Sequence, residues 1–132
     1  MSQENVEDYQ RILDAWTRDD RDGWLRNVTP AWEFRASGLF PGVFGVYRGV
    51  AGADALWRDM RGPWEAFSVH VERIEDLGDR LVALITFAVT GRDGIETSRP
   101  WAHVVNYRDG VPTVTDNYES WDAALKAVGL EE

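Results

Sequence analysis

Apolar side chains recur at helical spacing near the start of the chain. Over residues 5–18, Val6, Tyr9, Ile12, Leu13 and Trp16 form one stripe, with Asn5 as candidate cap and Glu7 and Asp8 in the first turn. Asp20 can cap a second, short helix over 21–27 that ends before Pro30. At 31–36 the period changes: Trp32 and Phe34 alternate with Glu33 and Arg35, as on a strand. Residues 37–49 hold four glycines and a proline, which predicts a loop with little regular structure, and its apolar residues suggest that it covers something. A third helix follows over 50–60, with Ala53, Leu56, Trp57 and Met60 on one face, and Gly62-Pro63 stops it.

From residue 64 onward the period is two. Strands are predicted at 64–74, 79–90, 95–107 and 114–120, joined by short turn-rich links, so they read as successive hairpins of one antiparallel meander. Pro112 has no amide donor and is placed just before the last strand or on an edge. Residues 121–132 close the chain as a short helix that Gly129 can end. The order predicts an α+β domain, with helices packed on one face of a strongly curved sheet, the shape of a cone with an inside.

Composition narrows what such a domain can do. A chain of 132 residues fits a single domain over 1–132 and can bury roughly two thirds of its unfolded surface. Its net charge of −9 argues against nucleic acid and anionic membranes as partners. With no cysteine and only two histidines, neither a thiolate centre nor a His-rich metal site is expected. The polar, acidic N-terminal stretch and the lack of any long apolar run read as cytoplasmic.

One strand carries unusual chemistry. Alternation in 98–107 puts Arg99, Trp101, His103 and Val105 on the same face. Water would not suit the indole, and a dry core would not suit the guanidinium, so the face suggests a mostly apolar pocket with a few convergent polar groups. His103 reads either as a buried, satisfied histidine or as a neutral base facing that pocket. Arg99 reads as an ion-pair partner of Glu119 or Asp116, or as a group that holds an oxyanion. Asn117, Thr115 and Glu119 share one parity on the last strand, with Glu119 a reserve acid, whereas Asp116 faces away. His70 alternates with Ser68 and Glu72 and belongs to a solvated face. Tyr47 packs the glycine-rich loop against the third helix, or its hydroxyl reaches the pocket. Trp16, Trp32, Phe34, Trp57 and Trp101 are core or pocket lining. Seven tryptophans favour some lining, because each indole N–H wants a partner.

The run "W.FRASGLFPG....YRG..G...LWRDMR.PWE", then "LGDR", "AHVVNYRDG" and "YESWDAALKAVGL", resembles the SnoaL-like proteins of the nuclear transport factor 2-like superfamily. The resemblance runs from about Val6 to Leu130. It implies a cone-shaped α+β barrel and a cofactor-independent acid/base enzyme of the polyketide cyclase, isomerase or dehydratase type, working on a hydrophobic polycyclic or aromatic small molecule. It also implies a homodimer through the outer sheet face, for which Val69, Val71, Val82 and Leu84 are the candidate residues. His103 matches the cyclase histidine, while the position of the cyclase aspartate falls on Asn117. An amide cannot exchange a proton near neutral pH, so the resemblance leaves two further readings open: a non-catalytic binder in which the same residues orient a ligand, and an interaction module with a vestigial cavity. The charged pair of the related epoxide hydrolases is missing from "LVALITFAV", and that activity is rejected.

Overall fold

The computed structural model describes residues 2–130 and has ten elements. In chain order they are α1 (Ser2–Thr17), α2 (Arg21–Leu25), β1 (Glu33–Arg35), β2 (Val46–Arg48), α3 (Gly49–Met60), β3 (Ala66–Asp76), β4 (Arg80–Thr90), β5 (Glu96–Arg108), β6 (Val111–Tyr118) and α4 (Trp121–Ala127). All six strands join one sheet in the order β2-β1-β6-β5-β4-β3. β3 to β6 form the expected antiparallel meander, and β1 runs parallel to β6. The sheet is open, with β2 and β3 as its edges.

Two caps behave as residue chemistry demands. The Asp20 carboxylate accepts from the Gly23 amide at 2.9 Å, and Ser120 Oγ accepts from the Ala123 amide at 3.1 Å. Gly129, at φ +83°, ends α4. Asn5 caps nothing: α1 already starts at Ser2, so Asn5 sits inside it, buried, and donates to the Gly78 carbonyl at 3.1 Å. The glycine-rich stretch is more ordered than expected. Its end forms β2, and the Ala36 amide donates to the Gly45 carbonyl at 2.9 Å, closing a loop that drives Phe40 and Val43 into the core.

The helices are divided between the two faces of the sheet. On one face, α1, α2 and α3 meet the inward residues Leu81, Ala83, Ile85, Phe87, Trp101 and Val105 in the main core. On the other, Trp121, Ala124 and Leu125 of α4 cover Val82, Ala102 and Val104. This corrects two expectations. Helices do not share one face, and the three valines and one leucine offered as an excess for pairing already have partners. Val69 and Val71 turn inward, Val82 lies in the cluster beneath α4, and Leu84 packs against it. Pro112 is the second residue of β6, opposite Tyr107; β1 pairs only with Val114–Asp116, so the missing amide hydrogen costs no ladder bond on that side. Among the described residues no helix is long and apolar enough to cross a membrane.

Candidate functional site

Between the helices and the inner sheet face lies a cavity of about 60 Å³. α1 contributes Tyr9, Ile12, Leu13 and Trp16, and α2 contributes Trp24. Trp32 and Phe34 come from β1 and the residue before it, and Leu56 and Met60 from α3. The sheet adds Val69, Phe87, His103, Val105, Tyr107, Pro112 and Thr115. None of these residues is a lysine, arginine or carboxylate. As it stands the space holds a molecule of a few heavy atoms, and a polycyclic guest would have to part its walls.

His103 sits at the polar centre of this lining. It is buried, and Nδ1 lies 2.9 Å from the hydroxyl of Tyr9, 94 positions away in the sequence. The indole N–H of Trp101 donates to Nε2 at 3.4 Å. An indole nitrogen can only donate, so Nε2 accepts and the ring hydrogen belongs on Nδ1, which donates to the Tyr9 oxygen. Burial pulls the imidazole pKa down to about 4, against a smaller upward effect of hydrogen bonding with the Asn117 side chain. His103 is therefore uncharged at neutral pH. Burial pushes the Tyr9 phenol far up, so Tyr9 keeps its hydrogen.

A second polar pair stands nearby. Tyr107 donates its hydroxyl hydrogen to Asp8 Oδ2 at 3.1 Å. The other Asp8 oxygen accepts from Asn27 at 3.1 Å and is paired with Arg11. Burial, and then the Asp8 carboxylate, hold the Tyr107 phenol far above its ordinary range.

The expected site residues separate into two groups. His103, Trp16, Trp32, Phe34 and Thr115 line the cavity together. Asn117 is buried directly across the ladder from His103, and its amide donates to the Arg35 carbonyl at 2.7 Å. Trp101 is buried just outside the lining, stacked on Phe87 at 4.1 Å and edge-on to Phe40. Trp57 packs on Trp16 at 4.6 Å without reaching the cavity. The Tyr47 hydroxyl donates to Asp59 on α3 at 2.9 Å, the packing alternative.

Arg99 is exposed, and its guanidinium donates to the Leu39 carbonyl at 3.3 Å. It shares a face with His103 but lies four residues along, beyond the cavity end. Neither proposed ion pair forms for it: Asp116 is paired with Arg35, and Glu119 is exposed past the end of β6. His70 is exposed, as its parity requires. Tyr9, Trp24, Phe87 and Tyr107 are the aromatic lining residues that sequence reasoning left out. Tyr9 was already visible in the α1 stripe, but which residue its hydroxyl would meet was not.

The SnoaL-like domain family matches residues 9–113. None of the curated proteins matches the chain. Among solved structures, TerC co-crystallised with polyporic acid is 20% identical, with 96% of this chain and 98% of that one covered and a TM-score of 0.76. A Δ5-3-ketosteroid isomerase from Mycobacterium sp. is 21% identical over 91% of this chain and 95% of its own, at a TM-score of 0.70. An epoxide hydrolase from M. tuberculosis of the LEH-like type is 20% identical over 97% and 94%, at 0.73. At such identities the shared property is the fold, the one also seen in structures described as NTF2-like.

Proposed function

The chain belongs to the SnoaL-like domain family, and on that premise we propose that it is a cofactor-independent proton-transfer enzyme of the cyclase, isomerase or dehydratase kind. Its substrate is a hydrophobic small molecule, single-ringed or smaller unless the walls move. One observation carries this reading: a buried, uncharged His103 in hydrogen-bond contact with a Tyr9 hydroxyl on the wall of an aromatic cavity. In the proposed step the Nε2 lone pair, freed from its long 3.4 Å indole contact, takes a proton from the substrate. Tyr9 donates its hydroxyl hydrogen to the oxygen on which negative charge develops. The imidazolium then returns the proton to another atom of the same molecule, or to a departing hydroxyl, so the step needs no redox partner. Asn117 orients the imidazole, and Arg99, outside the cavity, has no part.

Asn117 itself favours a second reading, a binder, because the position opposite His103 carries an amide that cannot exchange a proton. Deuterium exchange separates the two. With cyclopentanone in D2O, proton NMR should show the protein accelerating loss of the α-hydrogen signal and His103→Gln abolishing the acceleration. Quenching of tryptophan fluorescence by cyclopentanone without any exchange would leave only the binder. We further propose that the chain works as a homodimer through the part of the outer sheet face that α4 leaves open.

A further inference from the structure

The two tyrosines of the cavity lining have opposite hydrogen-bonding capacities left over. Tyr107 has committed its only hydrogen to Asp8, so its oxygen can offer lone pairs and nothing else. Asp8 cannot turn away to release it, because its second oxygen is held by Arg11 on the same helix and by Asn27 after α2. Tyr9 is the reverse case. Its oxygen already accepts from His103 Nδ1, and among the described residues no acceptor takes its hydroxyl hydrogen. Both side chains line the same cavity, which therefore offers one donor and one acceptor within an otherwise aromatic and aliphatic wall.

We infer that this donor and acceptor select a small, uncharged apolar molecule bearing a hydroxyl group, as a simple alcohol or a hydroxycarbonyl compound. This rests on the same cavity as the function proposed above and names the class of molecule it takes. A hydroxyl satisfies both tyrosines at once, accepting from Tyr9 and donating to Tyr107. A plain ketone or ether satisfies Tyr9 alone and sets its lone pairs against those of Tyr107. A hydrocarbon leaves both unsatisfied, which is costly in a buried site. An anion is excluded, since the lining holds no cation and the Asp8 carboxylate stands directly behind Tyr107.

The test uses four molecules of one shape: cyclopentanol, cyclopentanone, methylcyclopentane and cyclopentanecarboxylate. Titration against intrinsic tryptophan fluorescence reads the binding, because Trp16, Trp24 and Trp32 line the cavity. Cyclopentanol should bind about tenfold more tightly than cyclopentanone, the worth of one hydrogen bond, and the carboxylate should not bind at all. Tyr107→Phe should erase the preference, weakening cyclopentanol and relieving the lone-pair conflict with cyclopentanone. Asp8→Ala releases the Tyr107 hydrogen and should instead strengthen cyclopentanone, a change that loosening of the fold would not produce. Equal binding of alcohol and ketone to the unaltered protein, or binding of the carboxylate, overturns the inference and leaves the proton-transfer reading standing. Failure of all four to bind overturns both. Selective alcohol binding without deuterium exchange upholds the inference and removes only the catalysis.

Discussion

His103 shows how one buried side chain sets a property of the folded state. In the native protein it stays uncharged down to about pH 4, whereas in the unfolded chain it takes up a proton near the ordinary value of 6.5. Between those limits the unfolded state binds more protons, so stability must fall as the pH drops from about 6.5 to about 4. Below that window the loss is complete, and above it this group contributes no pH dependence. The full effect is roughly 3 kcal/mol, and urea denaturation at a series of pH values should find it missing in His103→Gln. An identical pH dependence in the two proteins would mean that the imidazole is solvated. Trp101 gives a second prediction at this scale. Because it is buried against Phe87 and Phe40 and does not line the cavity, Trp101→Ala should cost about 3–5 kcal/mol of stability, measured in the same way. A cost below about 1 kcal/mol would place the indole in an existing void instead.

At the scale of elements, what the chain discloses about itself depends on the range of the interaction. Periodicity is local, and it located α1, α3 and the four long strands because each repeats its pattern over eight residues or more. β2 escaped it: Val46–Arg48 is too short for a pattern and stands in a glycine-rich setting, and only pairing with β1 makes it a strand. Alternation told which face of β5 His103 and Arg99 share, and that was right. It could not tell that the cavity ends before Arg99, since that is decided by how far α1 and the loop around Phe40 extend over the strand. The side of the sheet taken by α4 was equally out of reach, because Val82 and Val104 look like core residues whichever helix covers them. Nor does any local signal link Tyr9 to His103 or Tyr107 to Asp8, pairs made by tertiary packing across more than ninety positions. The candidate chemistry was half legible: the imidazole and several aromatics from strand parity, the two phenols only from the folded chain.

For the whole molecule, the proposed pairing of two copies turns on the outer sheet face. α4 covers the end near Val82 and Val104, and the remainder across β3, β4 and β5 stays open. Its cross-strand rows are His70, Thr86 and Pro100, and next to them Ser68, Ala88 and Ser98, with Leu84 alongside. No lysine, arginine or carboxylate stands in the first two rows, although Arg73 lies opposite Leu84 and the chain as a whole carries a net charge of −9. A patch of uncharged side chains is what two strongly like-charged molecules need in order to approach, because a charge buried there would have no partner. A twofold axis would set the patch against itself and close the assembly at two. Light scattering at micromolar concentration should therefore return twice the chain mass. Thr86→Arg, in the middle of the patch, should return the mass of one chain with circular dichroism unchanged, because each copy would then bring a cation against its twin. A monomer in the unaltered protein, or a dimer that survives Thr86→Arg, would show that the open face is not where the copies meet.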